Sequence, residues 1–170
     1  MKQAGHRLKE GVARGMAAVG SRLVRARHFR GHGVHSPFVY ALVREVFMRN
    51  TLLPGDRALY DALRGAGVAE RRAVQLQNLA IHAGYATFGL NHADGALVVA
   101  LSELPQEELL KLAEEANRTG ATVAIMTPCT KNDQAALCRA LVAQHDSTSV
   151  DNRAYLLLFN NGLPKQHFVL

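Results

Sequence analysis

Three short apolar runs in the second half of the chain constrain its fold more than any other feature. They read ATFGLN at 86–91, ALVVAL at 96–101 and TVAIMT at 122–127, and they carry β-branched residues of the kind that buried strands favour. A helical pattern bounded by Pro105 and Gly120 separates the second run from the third, and another helical pattern follows the third. Strands that alternate with helices are typical of a parallel sheet with helices on its faces.

The end of the chain predicts a reversal of strand direction. An apolar strand at 154–159 is followed by the dipeptide Asn161-Gly162, a strong hairpin signal, and by a last strand at about 166–170. We therefore expect an α/β fold, a truncated Rossmann-like mixed sheet of about five strands with the last pair antiparallel, and a helical N-terminal region. The expected division is a basic helical N-terminal region at 1–84 and a truncated Rossmann-like α/β sheet domain at 85–170.

Positive charge is concentrated at the start of the chain. Residues 1–50 hold ten Lys and Arg residues against Glu10 and Glu45, a net charge of +8 in a chain whose formal net charge is +6. Such an asymmetry is typical of a region that meets an anionic partner, a nucleic acid or a lipid surface, although a solvated helix face has the same composition. No apolar run approaches the roughly 18 residues of a membrane span, so the sequence predicts a cytoplasmic protein without a transmembrane segment.

The stretch RGHGVHSPFVY at 30–40 has a structural interpretation and a functional one. Ser36 followed by Pro37 is a typical helix start, because Ser caps the first turn and Pro suits it. The cations and polar groups in front of that helix form a candidate anion site, because helix N-termini attract anions. The anion-binding candidates are Arg27, Arg30, His32, His35 and Ser36. No nearby third ligand completes a metal site, so none is predicted.

Both ends of the chain resemble a known family. HGVHSPFVY at 32–40 is very similar to a segment that precedes the catalytic fold in a group of bacterial class I S-adenosylmethionine (SAM)-dependent methyltransferases. GLPKQHFVL at 162–170 resembles the closing strand of those proteins, and ALVVAL, TVAIMT and the terminal strand pair look like their later strands. The resemblance implies a Rossmann-like fold and, if the family activity is retained, SAM as the cofactor.

The sequence departs from that family where SAM would bind. The class I fold holds SAM with a glycine-rich loop after its first strand and an acidic residue at the end of its second. Here Gly84 and Gly89 precede or lie inside the first candidate strand, and no acid ends a strand at the expected distance. We therefore expect a methyltransferase-like protein that has lost cofactor binding and has a structural or interaction role. The alternatives are an active SAM-dependent methyltransferase and an anion-binding module that uses the basic N-terminus.

Any ligand of an open parallel sheet is expected beyond the carboxyl ends of its strands. The candidate cofactor-binding residues at those ends are Asn91, Asp94, Ser102, Glu103 and Thr127. Catalytic residues cannot be assigned from the spacing. A homo-oligomer, or assembly with a full-length relative, is a further expectation for a shortened member of such a family.

Overall fold

The computed structural model describes residues 36–126 and 132–170. Helices and strands alternate as an α/β fold. The helices are α1 (Pro37–Leu42), a π-helical turn (Val43–Phe47), α2 (Ala58–Gly65), α3 (Glu70–Ala83), α4 (Gln106–Thr119) and α5 (Asn132–Gln144). The strands are β1 (Phe88–Leu90), β2 (Leu97–Ala100), β3 (Thr122–Met126), β4 (Thr148–Asp151), β5 (Tyr155–Leu158) and β6 (Gln166–Val169). No helix in these two ranges is both long and apolar enough to cross a bilayer.

One mixed sheet forms the centre of the described structure. Its strand order is β1-β2-β3-β5-β4-β6, in which β1, β2 and β3 are parallel neighbours and β5 lies antiparallel between β3 and β4. β6 completes the edge and runs parallel to β4. The α/β fold class and the mixed sheet with antiparallel pairs are therefore confirmed.

The predicted hairpin between the last two strands is wrong in one respect. β5 and β6 run in opposite directions, but β4 lies between them and pairs with both. The connection from β5 to β6 crosses the end of β4, where the Ser147 hydroxyl donates to Asn161 Oδ1 at 2.7 Å and the Thr148 hydroxyl donates to the Pro164 carbonyl at 3.2 Å. These bonds hold the connection against β4, so the Asn-Gly turn does not close a two-strand ribbon.

Helices cover both faces of the sheet because its central strands are buried on both sides. Alternate residues of β2 and β3, such as Leu97 and Ala124, pack in one cluster with α1, the π-helical turn, α2 and α3. The intervening residues, such as Val98 and Val123, pack with α4 and α5. The described part of the N-terminal region is thus the helical layer on one face of the sheet.

Buried amide side chains on α3 fix the chain that precedes it. Gln75 donates to the Phe47 carbonyl at 2.9 Å, and Gln77 accepts from the Tyr60 amide at 2.9 Å. Asn78 accepts from the Leu53 amide at 2.8 Å. Since unpaired buried amides cost about 1 to 3 kcal/mol each, these bonds specify how the segment between the π-helical turn and α2 folds.

The connection between β1 and β2 is unusually short for parallel strands. Residues 91–96 alone return the chain from the end of β1 to the start of β2, whereas a parallel connection ordinarily takes a dozen residues or more. A Cβ on Gly89 would overlap the carbonyl oxygen of His92, and a Cβ on Gly95, at φ 158°, would lie 2.7 Å from Cα of Phe88. We call residues 91–96 the return loop. The two glycines let the return loop pack directly on β1.

Substitution of Gly89 by alanine tests this close contact. We expect Gly89→Ala to lower the free energy of unfolding by at least about 2 kcal/mol, because its methyl group has no space beside a backbone carbonyl. Urea denaturation measures the change. Gly65→Ala is the matched control: Gly65 ends α2 with open space around its Cβ position, so no loss is expected. Equal stability of Gly89→Ala and the unmodified protein would contradict the packing described here.

The contact between β4 and β6 predicts a pH dependence of stability. His167 Nδ1 lies 2.9 Å from the Ser149 hydroxyl, and burial lowers the pKa of His167, with a smaller opposing effect from Asp151. A depressed histidine pKa means that folding favours the neutral ring. The contribution of His167 to the free energy of unfolding is complete above about pH 6.5, the pKa of histidine in the unfolded chain. It is lost as the pH falls through the lower pKa that His167 has in the folded protein.

We therefore expect His167→Gln to lose less stability than the unmodified protein when the pH is lowered from about 7.5 to about 5. Urea denaturation at the two pH values gives the comparison, and the difference between the proteins isolates His167 from other titrating groups. An equal loss in both proteins would show that His167 is not responsible.

Candidate functional site

A cavity of about 350 Å³ lies at the carboxyl ends of the central strands. Four segments form its walls: the connection from α2 into α3, the chain that leaves β2, the end of β3, and the turn from β4 to β5. The lining residues are Ala66, Gly67, Val68, Ala69, Arg72, Leu101, Ser102, Glu103, Met126, Arg153 and Ala154. We call this space the strand-end cavity.

Strand directions explain why these segments meet. In the parallel register Ala100 lies opposite Ile125, so the chain after β2 and the end of β3 reach the same edge of the sheet. Met126 pairs with Tyr155 in the antiparallel register, so β5 begins where β3 ends. The cavity therefore occupies the position at which open α/β sheets bind ligands.

Of the candidates at the strand ends, Ser102 and Glu103 line the strand-end cavity and Asn91 and Asp94 do not. Asn91 has a left-handed φ of 60°, and its Oδ1 accepts from the Leu101 amide at 2.7 Å, which ties the ends of β1 and β2 together. Asp94 lies on the surface of the return loop, 3.5 Å from His92 Nδ1. Thr127 falls outside the described residues.

The anion-binding candidates before α1 divide in the same way. Arg27, Arg30, His32 and His35 lie outside the described residues, so anion binding there stays a prediction. Ser36 is described, and its hydroxyl accepts from the Val39 amide at 3.4 Å as the N-cap of α1. The capped helix start expected from Ser36 and Pro37 is thus present.

Two arginines that the sequence interpretation did not single out give the cavity its positive charge. Arg72 is half-buried in the first turn of α3, and Arg153 is exposed in the turn before β5. A cation in the first turn of a helix opposes the helix dipole, so the position of Arg72 is a signal that sequence analysis could have used. The sequence around Arg153 gives no comparable signal, because an arginine in a turn opposes no helix dipole.

The backbone of Arg153 is held in an uncommon conformation. Its φ is 70°, in the left-handed region that disfavours residues other than glycine and asparagine. Asp151 Oδ1 accepts from the Arg153 amide at 2.6 Å, and Asn152 Oδ1 accepts from the Tyr155 amide at 3.0 Å. These bonds fix the turn and direct Arg153 to the wall of the cavity.

Tyr155 is the first residue of β5, directly after the turn that contains Arg153, and its phenol is uncharged near neutral pH. Its ring is fully buried and its hydroxyl donates to Gln75 Oε1 at 3.3 Å. Burial raises the pKa of Tyr155, against smaller lowering effects from Asn152, Arg72 and Arg71. A phenol with a raised pKa does not serve as a base near neutral pH.

The described residues contain no group of three His, Cys, Asp or Glu side chains placed to hold a metal ion. The strand-end cavity is lined by two guanidinium groups, a carboxylate and a hydroxyl, which can bind a ligand by charge and hydrogen bonds. Comparison with protein families, curated proteins and solved structures gives no match in any of the three.

The strain at Arg153 predicts an unusual order of variant stabilities. Arg153→Gly should be more stable than Arg153→Ala by about 1 kcal/mol, because glycine adopts the left-handed conformation without a steric cost. Urea denaturation of both variants provides the test. The pair Lys111→Gly and Lys111→Ala, at an exposed position in the middle of α4, should show the opposite order by about 1 kcal/mol. If alanine were the more stable residue at both positions, Arg153 would not be strained.

Proposed function

We propose that this chain is a methyltransferase-like protein that has lost SAM binding and has a structural or interaction role. The observation that carries the proposal is the return loop. In the class I fold the chain leaves its first strand through a glycine-rich loop into a helix, and the cofactor lies on that loop. Here the chain leaves β1 through residues 91–96 and enters the neighbouring parallel strand directly.

The glycines near β1 have a different use from those of a cofactor loop. Gly89 and Gly95 bring the return loop onto β1 itself, and their missing Cβ atoms leave room for His92 and Phe88. Glycines in a cofactor loop instead let the backbone approach a ligand. Atoms of the return loop and of β1 already fill the space beside these two glycines. This packing disfavours a cofactor at the end of β1.

The two segments that carry the resemblance to methyltransferases pack in one core. Phe38 of the HGVHSPFVY segment makes an edge-to-face contact with Phe159, with ring centroids 5.0 Å apart. Val39 and Leu170, from the two segments that carry the resemblance, belong to the same buried cluster. The two similar segments therefore form part of a single core.

One observation favours retained activity as a second candidate. Glu103 follows β2 by three residues and lines the strand-end cavity, where a carboxylate could accept hydrogen bonds from ribose hydroxyls. In that case Glu103 and Ser102 would hold SAM, and the cofactor would supply the methyl group. We favour the first proposal because no helix lies between β1 and β2.

Partners and location belong to the same proposal. The +8 charge of residues 1–50 supports an anionic partner, and salt-dependent binding to nucleic acid or anionic vesicles would test it. Assembly with a second copy or a longer relative is part of the same proposal, and sedimentation velocity would detect a second copy as added mass. A cytoplasmic location is testable by cell fractionation.

We expect no change in melting temperature when SAM is added at about 1 mM. A site with a dissociation constant of about 10 μM would stabilise the protein by about 2.7 kcal/mol at that concentration, which corresponds to a shift of roughly 5 °C or more. Thermal melting and calorimetry are the measurements. A shift that disappears in Glu103→Gln and persists in Glu107→Gln, an exposed residue outside the cavity, would establish the active alternative instead.

A further inference from the structure

We infer that the strand-end cavity binds a small anionic molecule, one with a phosphate or carboxylate group and an amine or hydroxyl nearby. This inference concerns a ligand other than SAM. It depends on the charges around the cavity and not on the resemblance to methyltransferases. It can therefore be refuted without refuting the proposed function, and the reverse is also true.

The cations of the strand-end cavity have no partner among the described residues. In the parts of the chain that the structure describes, the guanidinium groups of Arg72 and Arg153 make neither a hydrogen bond nor an ion pair. Arg72 is half-buried, so it has lost part of its hydration without gaining a carboxylate. An anionic ligand would supply that partner, and guanidinium groups bind phosphate and carboxylate through paired hydrogen bonds.

The backbone at the same wall of the cavity also carries positive potential. α3 extends over 14 residues and begins after Ala69, which lines the cavity and has no side-chain oxygen to cap the helix. The positive end of the α3 dipole therefore adds to the charge of Arg72. Side chain and backbone both contribute positive potential at this wall, against an opposing contribution from Glu70, which is exposed in the same first turn.

The acid of the cavity narrows the class of ligand. Glu103 likewise makes no ion pair or side-chain hydrogen bond within the described residues, and Ser102 lies beside it. An ionised carboxylate accepts hydrogen bonds and repels an anion. A ligand with a hydrogen-bond donor at one end and an anionic group at the other can bind both Glu103 and the arginines. A bare polyanion would bind the arginines but be repelled by Glu103.

Size sets the scale of the molecule. A volume of about 350 Å³ lies at the small end of ligand pockets, which suits a molecule the size of a phosphorylated amino acid. Val68, Leu101 and Met126 add apolar surface to the walls, so part of such a ligand would be removed from water. Partial desolvation strengthens the pairing of its anion with the arginines.

Isothermal titration calorimetry with three probes tests the inference on the full chain. The probes are O-phosphoserine, serine and inorganic orthophosphate, each titrated at constant ionic strength. We expect O-phosphoserine to bind more tightly than orthophosphate, because its amine also meets Glu103. Binding of O-phosphoserine without serine would identify phosphate as the recognised group, and comparable binding of both would identify the carboxylate.

Variants connect any binding to this cavity. Arg72→Gln should weaken O-phosphoserine binding by at least about tenfold, the effect of one charge-assisted hydrogen bond. Arg71→Gln is the matched control, since Arg71 is the adjacent exposed residue of α3 and does not line the cavity. Arg153→Asn removes the second cation and retains a residue that tolerates φ 70°. Melting curves of the variants establish that each is folded.

Failure of all three probes to bind at about 10 mM would overturn the inference. So would equal weakening by Arg72→Gln and Arg71→Gln, which would indicate attraction by the general charge of α3. Neither result bears on SAM, whose binding is measured separately, so the two proposals fail independently.

Discussion

The close contact between the return loop and β1 is the constraint on which the rest of the structure depends. Two parallel neighbours joined without a crossover helix require the connection to fold back at once, and only residues without a Cβ fit at Gly89 and Gly95. With β1 and β2 fixed in this way, α4 connects β2 to β3, which lies parallel beside β2. The carboxyl ends of β2 and β3 are therefore at the same edge of the sheet. The cavity is a consequence of that arrangement.

Sequence patterns predicted the elements whose burial is strong and local. The runs at 96–101 and 122–127 became β2 and β3 because every residue in those strands is buried, and α4 ends at Gly120 in the left-handed conformation that such helix ends favour. β4 was missed because three of its four residues, Thr148, Ser149 and Asp151, are polar. Their burial depends on hydrogen bonds to a connection that lies more than a dozen residues later.

The strand-end cavity was predictable only where its residues follow a strand that the sequence shows. Ser102 and Glu103 follow a recognisable strand, and strand ends are where ligands of open sheets bind. Asn91 has the same type of position, but its side chain is used to join β1 to β2. Arg72 and Arg153 come from segments far apart in the chain, so only the antiparallel placement of β5 brings them to one cavity.

Amide hydrogen exchange measures directly whether the return loop is a fixed part of the sheet. The Asn91 amide donates to the Val99 carbonyl and the Ala96 amide donates to the Thr87 carbonyl, at 2.9 and 3.1 Å. If the return loop is a fixed part of the sheet, both amides should exchange as slowly as those in the middle of β2 and β3, with or without SAM. Rapid exchange that SAM slows would show that this segment is a cofactor loop, and would contradict the account.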